Sequence, residues 1–163
     1  MDNKIIILGL VTLIVFLSGC IQSNVSNIDG LSLSINIHLK NGDQYFNNAG
    51  YDANKFQYDM ALTNCNNATT EYNQARSLAS KGLTYANNSN DTIYSTYMQL
   101  VIDEIDSKIN ATNELRIAIP YLQNNDTVNA NLHIGNSNTF MSKATDFYNQ
   151  RADIINQNPT KFK

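Results

Sequence analysis

Residues 93–122 read IYSTYMQLVIDEIDSKINATNELRIAIPYL, and their spacing decides the fold. Ile93, Tyr97, Leu100, Val101, Ile105, Ile109, Thr112, Leu115, Ile119 and Leu122 recur mostly at three- and four-residue steps, which gathers them on one side of a helix. Such a stripe stays in water unless other helices cover it, so the expected fold is all-α, an antiparallel bundle of about four helices. Pro120 has no amide hydrogen and is expected to kink this helix or end it near Ala118.

On the N-terminal side, Asn87-Asn88-Ser89-Asn90-Asp91 separates this helix from an earlier one. That earlier helix is expected from Asp52 to about Ala86, on Ala53, Phe56, Met60, Thr63, Ala68, Tyr72, Ala75, Ala79, Gly82 and Ala86, with a weak point at Cys65-Asn66-Asn67. Asn48-Ala49-Gly50-Tyr51 reads as the turn before it, Gly50 being free to take positive φ and Asp52 being placed to cap. Leu31, Leu33, Ile35, Ile37 and Leu39 alternate as a strand would, but a lone strand has no partner in this chain. Ile35, Leu39 and Phe46 also line one side of a helix, so a helix is expected to about Asn48. Toward the C-terminus, Asn124-Asn125-Asp126 makes a turn with Asp126 as N-cap. Val128, Leu132, Met141, Ala144, Phe147, Tyr148, Ala152 and Ile155 then carry a fourth helix, weakened at Gly135-Asn136-Ser137-Asn138 and ended by Pro159. Residues 31–158 are thus expected to form the bundle and residues 159–163 a tail.

The N-terminus is of another kind. Ile5 to Leu17 is apolar apart from Thr12, and at about 1.5 Å per helical residue it reaches about 20 Å, short of the roughly 30 Å hydrocarbon core. A signal-peptide core fits that length. Leu17-Ser18-Gly19-Cys20 follows, small residues ahead of a nucleophilic sulfur, and resembles the lipobox of prokaryotic lipoproteins. The resemblance implies cleavage between Gly19 and Cys20 and a diacylglycerol thioether on Cys20. Residues 1–19 are then a signal peptide, residues 20–30 a lipidated cysteine and polar tether, and the protein is exported and held on the outer side of the cytoplasmic membrane or cell envelope. One acyl chain gives marginal membrane binding and two give a stable hold.

A net charge of −3 with no basic patch argues against nucleic acid as a partner. With Cys20 lipidated, Cys65 is the remaining thiol, read either as apolar filler on a helix or as an intermolecular or reactive cysteine. His38 and His133 lack the helical neighbours of a metal site and read as boundary residues; no metal or cofactor is expected. Asp103, Glu104 and Asp106 suggest a carboxylate pair, but Glu104 four residues before Lys108 is the spacing of a solvated ion pair. Nucleophile motifs and phosphate-cradling glycine loops are missing, so no enzymatic activity is expected.

Six positions fit the N-x-[S/T] acceptor pattern, and of these Asn87, Asn90 and Asn125 fall in expected turns as candidate glycosylation sites. Tyr45-Phe46-Asn47-Asn48 with Ala53-Asn54-Lys55-Phe56 is similar to Tyr121-Leu122-Gln123-Asn124 with Ala130-Asn131-Leu132, a weak internal repeat. In the first copy Gly42, Tyr45, Tyr51, Tyr58 and Ala61 resemble a tetratricopeptide hairpin, although Asn54 replaces a small residue and the closing proline is missing. The tyrosines, among them Tyr45, Tyr58, Tyr72, Tyr85, Tyr97, Tyr121 and Tyr148, suit either the rims of a helical core or an interface. Two functions fit these expectations: a surface lipoprotein whose helical domain binds an envelope protein, or a small-ligand carrier with a cavity between helices.

Overall fold

The computed structural model describes residues 3–162, with side chains from residue 27 onward. Four helices run in sequence: α1 (Asn3–Asn54), α2 (Tyr58–Asn88), α3 (Thr92–Gln123) and α4 (Thr127–Gln157). No strand occurs among the described residues, so the all-α bundle is the observed fold. Leu31 to Leu39 is helical because Ile28, Ile35, Leu39, Ala49 and Ala53 together make one buried stripe. The alternation of apolar residues there leaves Leu33 and Ile37 in solvent, 69% and 48% exposed.

Spacings of four and three residues set the packing. On α2 the buried residues are Ala61, Cys65, Ala68, Tyr72, Ala75, Ala79, Gly82 and Ala86, which repeat as a coiled-coil seam does. On α4 they are Ala130, Ser137, Ala144 and Arg151, one residue every seven. They meet a matching column on α3, Glu104, Ala111 and Ala118. Small side chains let α3 and α4 approach until Ser137 Oγ donates to the Ala111 carbonyl at 2.9 Å. Val128 and Leu132, expected in the core of this helix, stand 78% and 59% exposed, because the face that packs on α3 is the one carrying Ala130, Ser137, Ala144 and Arg151.

Neighbours in sequence pack as neighbours in space, α1 on α2, α2 on α3 and α3 on α4, with α1 also touching α3. Among the described residues α1 and α4 do not pack on each other. The bundle is therefore open along one side, with α3 as the floor between α1 and α4.

Several boundaries differ from the expected ones. α1 runs through Asn48-Ala49-Gly50-Tyr51 without a break, and Ala49 and Asp52 are buried on its inner face; the chain reverses at residues 55–57. Asp52 caps nothing; it accepts a 2.7 Å hydrogen bond from Asn64 across the α1/α2 seam. The tetratricopeptide-like spacing thus lies mostly within one helix, and the two copies of the weak repeat occupy unlike places, mid-helix and helix end. Pro120 does not stop α3, which continues to Gln123. Proline's missing donor and ring displace only one bond in the final turn. Residues 27–30, assigned to a tether on composition, are helical, and Ile28 is 1% exposed within the core. The expected tail is also docked: Phe162 lies 4.9 Å from both Tyr94 and Tyr97 ring centroids, Tyr94 Oη donates to the Lys161 carbonyl at 2.6 Å, and Lys161 pairs with Asp91.

Candidate binding cleft

The open side between α1 and α4 holds a cleft of about 330 Å³. Asn36, Leu39, Lys40 and Asp43 of α1 form one wall. Met141, Ala144, Thr145, Tyr148 and Arg151 of α4 form the other, and Glu104 and Lys108 rise from α3. Its volume falls at the lower end of the range typical of small-molecule sites, about 300–1,000 Å³.

Charge concentrates at its floor. Arg151 Nε donates to Glu104 Oε2 at 2.7 Å, and Arg151 Nη1 donates to Tyr97 Oη at 3.2 Å. Lys108 Nζ donates to Asp43 Oδ1 at 2.6 Å and stands 3.6 Å from Glu104 Oε1. Tyr72 Oη donates to the same Asp43 oxygen at 2.8 Å, so the network ties all four helices together. Burial, followed by the neighbouring Asp43 charge, pushes the Tyr72 phenol well above its ordinary range. The Arg151 guanidinium also lies 4.9 Å from the Tyr148 ring centroid. Next to this network α1 and α3 close on Arg151, leaving a void of only about 10 Å³, about the size of one water. The cleft is thus shut at one end and open along its length.

Glu104 corrects the reading of a solvated acidic face. It is 3% exposed, and its spacing to Lys108 serves a buried pair that Arg151 completes from another helix. The three acids of that stretch part company: Asp106 pairs with Arg76 at 2.6 Å on the surface, and Asp103 accepts from Gln99 at 2.9 Å. No pair of carboxylates converges there. Each histidine meets a glutamate on the adjacent helix, His38 with Glu71 and His133 with Glu114, both at 2.7 Å. Asn41 and Asn136 reach the same glutamate oxygens at 3.4 and 3.2 Å. The His133 hydrogen bond holds the Glu114 carboxyl below its usual range. Among the described residues no group of three His, Cys, Asp or Glu side chains is placed to hold a metal ion.

Cys65 is fully buried, and burial pushes its thiol up to about 11, which favours the apolar-filler reading over an intermolecular or reactive cysteine. Asn87, Asn90 and Asn125 are all exposed, Asn90 and Asn125 at turns, but Asn87, expected in the turn, lies in the last turn of helix α2 because the helix runs on to Asn88. Leu17, Ser18, Gly19 and Cys20 lie outside the residues whose side chains are described. No helix among the described residues is long and apolar enough to cross a membrane. Compared with known proteins, the chain matches no family model, no curated protein and no solved structure.

Nothing in the local sequence pattern joins Arg151, Asp43 and Tyr72, which lie on three different helices. The signal for the Glu104–Arg151 pair is present as two seven-residue columns, Tyr97-Glu104-Ala111-Ala118 and Ala130-Ser137-Ala144-Arg151, each small in the middle with one charge near an end. Set antiparallel, as a short turn requires, these columns bring the lone Glu to the lone Arg.

Proposed function

We propose that this protein is a lipid-anchored binding protein of the cell envelope, with the α1/α4 cleft as its working surface. Leu17-Ser18-Gly19-Cys20 supports the anchor, and the anchor holds the domain at the membrane while the cleft stays open to solvent. The observation that carries the binding reading is the cleft itself: an open recess between two helix walls over a floor of paired charges. Holding ionised groups away from water is costly, and apolar residues of similar volume would pack the floor at least as well. Polar groups fixed at the base of a recess are what orient a bound solute.

Mass spectrometry of the mature protein tests the anchor, with a diacylglycerol adduct on Cys20 as the expected result and an intact Met1 chain as the contrary one. Chemical-shift mapping with a panel of small solutes tests the cleft. Shifts should gather at Leu39, Ala144 and Tyr148; shifts confined to other surfaces would refute the reading.

A second reading, docking of an envelope protein, draws on the opposite end of the bundle. Tyr51, Phe56 and Met60 are 63%, 79% and 55% exposed around the α1/α2 turn. Residues 28–54 of α1 carry that turn about 40 Å along the helix from Ile28, away from the anchor.

A further inference from the structure

The geometry points to a small organic anion, a carboxylate joined to an apolar or aromatic group, as the ligand of the cleft; this rests on the binding reading above. The charges that line the cleft include one more cation than anion: Lys40, Lys108 and Arg151 against Asp43 and Glu104. Both anions are already engaged, Glu104 by Arg151 and Lys108, and Asp43 by Lys108 and Tyr72. The cations are not used up. Lys40 is exposed on the α1 wall and takes part in no ion pair among the described residues. Arg151 spends Nε on Glu104 and Nη1 on Tyr97, while Nη2 makes no hydrogen bond among the described residues. No buried side-chain nitrogen or oxygen there lacks a partner, so Nη2 keeps some contact with solvent although Arg151 as a whole is 9% exposed, and Arg151 lines the cleft. Two unspent cationic donors, one on each side of the recess, suit a carboxylate, and Arg is suited to its planar geometry.

The remainder of the recess favours an apolar tail. Leu39 and Met141 face it from opposite walls, and the Tyr148 ring, 52% exposed, offers a surface for an aromatic group. An amine ligand would meet the excess positive charge and find both carboxylates already paired.

The test uses the full chain in lipid nanodiscs with three probes of one shape: 3-phenylpropionate, its neutral amide and 3-phenylpropylamine. Calorimetry and chemical-shift mapping should show the carboxylate binding at the cleft about tenfold tighter than the amide, with the amine weakest. Raising salt from 50 to 500 mM should erode that preference, as screening demands. Lys40→Met, on an exposed position outside the buried network, should weaken the carboxylate about fivefold and the amide much less. Equal binding of carboxylate and amide in the cleft would overturn the anion assignment while leaving the binding reading intact. Failure of all three probes to shift any cleft resonance would overturn both this assignment and its premise for such solutes, and the solute panel above then decides whether the cleft binds at all.

Discussion

The two hairpins of this protein reach the same close packing by different chemistry. In α1/α2 a single aromatic side chain fills the gap: Tyr72 lies against Gly42, where a Cβ atom would come within 2.4 Å of its ring. In α3/α4 alanine and serine close the seam, and its end is locked by the Glu104–Arg151 pair. Their turns differ in the same direction. The α3/α4 turn places Asn125 at φ 55 and caps α4 with Asp126, whereas the α1/α2 turn places Phe56 at φ 61 and leaves α2 without a side-chain cap. Both hairpins also carry a His–Glu contact between their helices, so the difference lies in the buried ring of one and the buried ion pair of the other, and substitutions at these places should separate them.

The largest effect belongs to the charged hairpin. Glu104→Ala leaves Arg151 buried beside a gap and should cost about 3–5 kcal/mol in urea unfolding. The double variant Glu104→Leu with Arg151→Met should recover most of that loss, since an apolar pair of similar volume avoids the desolvation penalty. If the double variant is no better than Glu104→Ala, the locking role of the pair is wrong.

In the other hairpin, Gly42→Ala drives a methyl into a fixed ring. Tyr72 is fully buried and held by Asp43, so the ring has little freedom to withdraw. Overpacking of this kind costs about 1–3 kcal/mol, set against a gain of about 1 from helix propensity. Gly50→Ala is the control: nothing lies within 4 Å of its added methyl, and Gly50 sits inside α1 without positive φ. It should stabilise by about 0.5–1 kcal/mol; destabilisation there would restore the turn at residues 48–51.

The two ends of the pH scale should act on different groups, the alkaline end on buried thiol and phenol groups of α2 and on Tyr94 of α3, the acid end on carboxylates. Cys65 and Tyr72 on α2 both have folded pKa values above their unfolded ones, so their contribution is complete below about pH 9 and is lost as pH rises. With its pKa raised from 9.0 to about 11, Cys65 alone should remove about 2 kcal/mol by pH 11. Glu114 on α3 is shifted the other way by His133, and Asp126 by Asn129, so what they contribute is present above about pH 4.5 and disappears as pH falls further. Urea midpoints across pH 3–11 should fall at both extremes. Cys65→Ala should blunt the alkaline fall, and an unchanged alkaline limb would assign that fall elsewhere.

The same contrast explains what was legible in the sequence. From Ala68 onward α2, and likewise α3, is readable because large and small apolar residues at three- and four-residue steps report a buried face directly, whereas Phe56, Met60 and Thr63, read into the same α2 stripe, stand in solvent. Asp126 was readable because an Asn-Asp turn with a following apolar stripe announces a cap. The α1/α2 turn was not: Asn48-Ala49-Gly50 carries the turn residues, yet the seam formed by Ala49 and Ala53 against α2 outweighs their low helix propensity. Phe56-Gln57, which does turn, carries no turn signal. The cleft floor was hidden for a related reason, since Glu104 and Lys108 have the spacing of an exposed pair, and only α4, packed on α3 by alanines, brings Arg151 to bury them.

The smallest effects test the turns themselves, whose backbones agree bond for bond. In each, the left-handed residue donates to the carbonyl three before it, and the next residue donates to the carbonyl five before: Phe56 to Ala53 and Gln57 to Asp52, Asn90 to Asn87 and Asp91 to Ala86, Asn125 to Leu122 and Asp126 to Tyr121. This is a helix C-cap fused to the next helix start. Asn tolerates left-handed backbone through local hydrogen bonding, while a phenylalanine there has no such compensation. Asp91 and Asp126 then accept from amides of α3 and α4, at 3.1 Å from Ile93 and 3.1 Å from Asn129. Gln57 does neither, so Phe56→Asn with Gln57→Asp should raise stability by about 1 kcal/mol, and Asp126→Ala should lower it by about the same amount. Thermal unfolding of the two variants side by side reads the comparison directly. A first turn that gains nothing from the Asn-Asp pair would mean that Phe56, through its edge-on contact with Tyr58 at 6.3 Å, already offsets the strain of its backbone.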